Sequence, residues 1–197
     1  MTEAPAQLDP GYSRALQVCL ALNLAMVLVE GCAGAIIGSA ALLADAIDFV
    51  EETAVFALAL AAVGWSRRDR GTAGLIQAIA MGLVGLAAVG QIIDRLVNGG
   101  APAPRPLALV ALLALAVNFY GASRLAPYRK GDASMRGVWL SMRNDATLNL
   151  LTLFAAALIT VTHAGWPDIV AGVVIAAVNL WAARGVFVAA VAERRAA

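Results

Sequence analysis

Gly38-Ser39-Ala40-Ala41-Leu42-Leu43-Ala44-Asp45-Ala46-Ile47-Asp48 interrupts an apolar run that begins at Ala15 and continues to Gly64. About 20 residues cross a bilayer core, so the run is too long for one span. Gly38-Ser39 is its natural break, because Gly ends a helix and Ser caps the next. The run therefore reads as two membrane helices, one over about 13–37 and one over about 39–64.

The same reading extends along the chain. Trp65-Ser66-Arg67-Arg68-Asp69-Arg70-Gly71 predicts a short polar loop. A third helix is expected over about 72–98, ending at Asn98-Gly99-Gly100. The Pro-rich stretch from Ala101 to Pro106 gives the next loop. A fourth helix follows over about 107–126, a polar segment from Pro127 to Ala133, and a fifth helix over about 134–162. His163-Ala164-Gly165 reads as a tight turn before a sixth helix over about 166–190. The expected organisation is an all-α bundle of six transmembrane helices over 13–190. A cytoplasmic segment, 1–12, precedes it and a short tail, 191–197, follows.

Composition agrees. The chain has 197 residues, 61% hydrophobic and 14% charged, with a mean hydropathy of +0.81. A soluble domain of this size needs more charge to cover its surface. Arg14, Arg67, Arg68, Arg70, Arg124, Arg129, Lys130, Arg136, Arg194 and Arg195 share one side if the helices alternate, leaving Arg95 and Arg105 near the other. The positive-inside rule then puts both termini in the cytoplasm. A net charge of +1 argues against a nucleic-acid partner. The acidic, Pro-containing N-terminus lacks the basic start of a signal peptide. Cys19 and Cys32, about 20 Å apart on one helix, cannot pair. They lack metal-site spacing and read as apolar fillers.

Against that apolar background the acids stand out. A charge near the bilayer centre costs at least about 2.5–3.5 kcal/mol. This chain places Glu30 in the first helix, Asp45, Asp48, Glu51 and Glu52 in the second, and Asp145 in the fifth. At about 100° per residue, Asp45, Asp48 and Glu52 share one face of their helix. Glu51 turns aside, toward another helix or a counter-charge. Helical rise places Asp48 about 14 Å and Glu52 about 20 Å from one surface, and Asp145 about 16 Å from the other. In a core about 30 Å thick the three meet near the centre. Ser141 and Asn149 put further oxygens on the Asp145 face.

Three such carboxylates repel one another unless a cation visits, with protons in its place when it leaves. Oxygen-rich shells of this kind suit divalent metals. Metal ligation requires deprotonated groups, so metal movement couples to proton movement. The competing structural reading is a polar clamp between helices, with Arg143 as a partner. Asn23 and Glu30 share a face of the first helix, lining a pathway or bonding the second helix. Arg143 reads as a counter-ion for Glu30, Glu51 or Asp45, or as a snorkelling group. His163 could touch a peripheral metal near Asp168. Gly34 and Gly38 form a small-xxx-small pair suited to close packing.

The segment from Gly38 to Asp48, ending at Glu52, resembles the second-helix signature of the cation diffusion facilitators. The stretch Met135-Arg136-Gly137-Val138-Trp139-Leu140-Ser141-Met142-Arg143-Asn144-Asp145 resembles the fifth-helix signature. Gly165-Trp166-Pro167-Asp168 resembles a turn in the short branch of that family, which lacks a cytoplasmic C-terminal domain. The resemblance maps the second-helix ligand pair onto Asp48 and Glu52, and the fifth-helix His-xxx-Asp pair onto Ser141 and Asp145. Glu52 stands where the family has Asp, and Ser141 where it has His. The resemblance implies a homodimeric secondary transporter in a bacterial inner membrane. It would export a divalent metal, Zn2+ or else Cd2+, Co2+ or Mn2+, in exchange for protons. Asp48, Glu52 and Asp145 would be ligands, and Asn149 or Ser141 would complete the shell. No enzyme activity and no cofactor are expected. The rivals are a non-transporting scaffold subunit and a proton-coupled exporter of organic cations, the latter disfavoured by 6% aromatic residues.

Overall fold

The computed structural model describes residues 9–61, 67–130 and 133–195. These form six α-helices: α1 (Pro10–Ile37), α2 (Ala40–Ala61), α3 (Arg67–Asn98), α4 (Pro104–Leu125), α5 (Ala133–Thr162) and α6 (Trp166–Arg195). A 3-10 turn, Ala126–Tyr128, follows α4. Five of the helices, or long stretches of them, have the length and apolarity to cross a membrane. α2 is 22 residues long but carries four carboxylates.

Local chemistry sets the boundaries. Asp9 opens α1, its Oδ1 accepting from the backbone N–H of Gly11 at 2.7 Å and of Tyr12 at 3.0 Å. Pro10 occupies a first-turn position whose missing N–H costs nothing. The expected break lies where the sequence places it. Gly38 closes α1 in the left-handed conformation, φ 66°, which favours glycine. Ser39 Oγ accepts from Leu42 N–H at 3.2 Å and so caps α2.

Two neighbouring helices reinforce that corner. Arg95 of α3 donates through Nε to Gly38 O at 2.8 Å and through Nη2 to Ile37 O at 3.0 Å. Gln91 Nε2 adds a bond to Gly38 O at 3.1 Å. From α6, Asp168 Oδ1 accepts from Ser39 Oγ at 2.5 Å, and its Oδ2 from Ala40 N–H at 2.7 Å. The free carbonyls at the end of α1 thus meet a cation, and the free N–H groups at the start of α2 meet an anion, as helix termini require.

α2 is the hub. It packs against α1, α3, α5 and α6, and every residue from Ser39 to Phe49 is buried. Small residues permit the approach: a Cβ on Gly34 would meet Leu43 Cγ at 2.9 Å, and one on Gly172 would meet the Ala40 carbonyl carbon at 2.8 Å. Near the termini, Tyr12, Leu16, Cys19, Phe56, Leu125 and Met142 form one apolar cluster. At the Gly38 end, Leu42, Leu107, Ala156 and Ile159 form another. Leu28, Ile36, Leu86, Leu96, Phe119 and Trp181 point outward, as expected of a surface that faces lipid. Both cysteines are free.

Several expectations need correction. Arg67 to Gly71 belong to α3 rather than to a loop, with Asp69 favourably placed in the first turn. The end expected for the second helix, 62–64, and Trp65-Ser66 lie outside the described residues, as do 1–8 and 131–132. α4 begins at Pro104, ahead of the apolar stretch, because Pro suits a first turn. α6 runs to Arg195, where Arg194 and Arg195 complement its C-terminal dipole, so most of the expected tail is helical. His163 does form the turn into α6, at φ 52°.

Replacing Asp168 with Ala would leave Ser39 Oγ and two enclosed N–H groups without their acceptor. A buried group stripped of its partner costs about 1–3 kcal/mol. Asp168→Ala should therefore lower the thermal unfolding midpoint in detergent, while Asp168→Asn, which keeps one acceptor, should lose less. Equal midpoints for the parent and both variants would show that the corner is not held this way.

Candidate functional site

A cavity of about 410 Å³ opens between α2, α5 and α6. Asp48, Glu51 and Glu52 line it from α2; Ser141, Asn144, Asp145, Thr147 and Leu148 from α5; Val178, Asn179 and Ala182 from α6. Four carboxyl groups therefore surround one hollow in an otherwise apolar bundle. The spacing along α2 produces this directly, since Asp48 and Glu52 are i,i+4 neighbours on one face.

The individual side chains are held from several helices. Glu52 Oε2 accepts from Asn23 Nδ2 of α1 at 2.8 Å. Glu52 and Asp145 also lie within hydrogen-bonding reach of each other. Ser141 Oγ makes a long contact of 3.5 Å to Asp145 Oδ2. Asn179 Nδ2 donates to Ala44 O at 2.9 Å, and the side chain lies within hydrogen-bonding reach of Asp48. One oxygen of Asp48 and one of Glu52 have no hydrogen-bond donor although both are buried.

Asp48, Glu52, Asp145 and Ser141 are thus brought together as the sequence suggests. They surround the hollow without converging on a point: among the described residues, no three His, Cys, Asp or Glu side chains form a ready metal cluster. Asn149 is buried but does not line the hollow; its Nδ2 donates to Asp145 O at 3.0 Å. Asn23 bonds the second helix, the alternative in which it supports a ligand rather than lining a path. Glu30 and Asp45 are enclosed away from the cavity.

Three expectations change. Glu51 does not turn away from the site but lines the cavity. It also lines a second hollow of about 600 Å³ that includes Ala182, Arg184 and Ala192, toward the end of α6. Arg143 is not a counter-ion for Glu30 or Asp45, whose carboxylate oxygens meet no donor. It is exposed, stacked 5.2 Å over the Trp139 ring and bonded to Asn144 Oδ1 at 3.3 Å, which fits the snorkelling alternative. Asp168 is committed to the start of α2, so it does not form a peripheral site with His163. Asn179 and Asn144 were not anticipated. Asn179, a single amide in the apolar middle of α6, carried the same signal of costly burial that marks Asp145.

The cation efflux transmembrane domain, as a family, matches residues 16–193. The chain belongs to the cation efflux family. No curated protein matches it in sequence. Membership makes this chain an integral membrane protein and a transporter of divalent cations, which supports the non-enzyme reading.

The lining itself is testable. In a background of Cys19→Ala and Cys32→Ala, Ser141→Cys should react with a water-soluble thiol reagent far faster than Asn149→Cys. Equal labelling of the two would remove Ser141 from its distinct place at the cavity.

Proposed function

We propose that the protein exports a divalent metal from the cytoplasm, with Zn2+ the leading substrate and Cd2+, Co2+ and Mn2+ as alternatives, in exchange for protons. The observation that carries this is the 410 Å³ cavity edged by Asp48, Glu52 and Asp145. These three act as ligands and Ser141, beside Asp145, adds an oxygen. Asn149 serves instead from behind, fixing the helix at Asp145. Glu51, at the junction of the two hollows, meets the cation first. The proton is the counter-substrate because ligation needs ionised carboxylates and an empty site cannot keep them all ionised.

In this reading α2 also crosses the membrane, its acids enclosed by four neighbours, which gives six spans and cytoplasmic termini. The site is then exposed to each side in turn as helices rock around it. The working unit is a homodimer in a bacterial inner membrane.

Asp145→Ala should abolish metal flux in proteoliposomes while the protein still elutes as a folded species. Undiminished flux in that variant would refute the assignment. Asn23→Leu removes the bond that orients Glu52, and loss of such a supporting partner typically costs about 10–100-fold in metal affinity. Calorimetric titration with Zn2+ and Cd2+ measures that change, and an unchanged affinity would separate Asn23 from the site.

A further inference from the structure

Besides Asp168, two enclosed carboxyl groups lie outside the cavity. Glu30 of α1 and Asp45 of α2 are both completely enclosed, and their side chains lie within hydrogen-bonding reach of each other. None of their four oxygens meets a hydrogen-bond donor.

Packing brings a third polar group toward them. Ala33, Leu42 and Ala156 belong to one apolar cluster on α1, α2 and α5. Glu30, Asp45 and Thr152 lie three or four residues from those positions, each one turn nearer the cavity, so the register directs all three to the same seam. Thr152 Oγ is buried and unpartnered, as is Asn149 Oδ1 one turn further in. Thr147, Thr160 and Thr162 on the same helix each bond the carbonyl four residues back; Thr152 does not.

Two ionised carboxylates in contact, enclosed and without a donor, would be prohibitively unfavourable. A single proton between them removes the conflict. It supplies an O–H donor, makes a charge-assisted O–H···O bond and leaves one negative charge shared by both groups. A divalent cation would need several more oxygens and room for them, whereas a proton needs none.

We propose that Glu30 and Asp45 form a carboxyl pair that holds one proton between them, a proton site separate from the cation cavity. Its role rests on the transport reading above. The pair lies between the cavity and the Gly38 corner, Asp45 about 4.5 Å along α2 from Asp48. The charged groups that act on it from neighbouring positions are Asp48 on α2 and Asp145 on α5, both acidic. When a cation leaves the cavity, a proton from water forms a new O–H bond on the pair as the shared O–H bond breaks and an O–H bond forms on a cavity carboxylate, so the pair never stands doubly ionised.

Infrared spectroscopy of the reconstituted protein tests this without reference to flux. A protonated carboxyl gives a C=O stretch distinct from that of carboxylates, shifted by exchange into D2O. In Glu30→Gln or Asp45→Asn, the new amide donates N–H to the remaining carboxylate, which stays ionised without the proton. Each variant should therefore lose band intensity relative to the parent. Glu30→Asp keeps both acids and should keep the band, which separates proton loss from a disturbed fold. Undiminished intensity in either amide variant, or loss in Glu30→Asp, would overturn the shared proton. Absence of metal flux in the parent would instead refute the transport reading and leave the pair standing.

Discussion

Four carboxylates on a single 22-residue helix impose the main constraint on this bundle. Such a helix cannot face hydrocarbon, where each charge would cost several kcal/mol. It must lie inside, and α2 does, with α1, α3, α5 and α6 around it. Its enclosure demands small residues at the contacts, which Gly34 and Gly172 supply. It also demands that its first N–H groups be satisfied without water, which Asp168 of α6 does. The cavity sits where the enclosure is incomplete, along the acidic face toward α5 and α6.

The polar groups of the interior divide by what satisfies them. Asn23 and Asn179 each complete bonds to α2, one to a carboxylate and one to a backbone carbonyl, and so tie α1 and α6 to it. Asp168 is bonded at both oxygens. By contrast, Asp48, Glu52, Glu30 and Asp45 keep oxygens with no donor. Buried polar groups are ordinarily satisfied, so the open oxygens of these acids are unusual, a state that Asn23 Oδ1 and the Asn118 amide share.

Much of this was legible in the sequence. The Gly38-Ser39 break, the helical spacing of Asp48 and Glu52, and the meeting of Asp145 with them needed only period and rise. The limits are equally physical. Hydropathy cannot place the start of α3, because Arg67 to Arg70 read as a loop although charged residues form a first turn readily. It also treats Glu51 as misaligned, since a wheel for one helix ignores a cavity wide enough to accept side chains over more than a 60° arc. Asn149 shares the face of Asp145 in the sequence, yet it does not line the cavity, its Nδ2 donating to a backbone carbonyl. Only the register between helices reveals that Arg95 and Asp168 converge on one corner.

That corner has a mechanical consequence. With α3 fastened to the end of α1 and α6 to the start of α2, the four helices α1, α2, α3 and α6 are riveted together at one end. α4 and α5 pair with each other and meet that end through apolar packing, Leu107, Ala156 and Ile159 against Leu42. Four helices are therefore joined by polar bonds at that corner, and α4 and α5 meet them there by apolar contact. Asp48, Glu52 and Asn179 lie on the first set, and Ser141 and Asp145 on the second. On the function proposed above, a shift of α4 and α5 against the other four would part the oxygen set, so the grip on a cation would follow the relative position of the two sets.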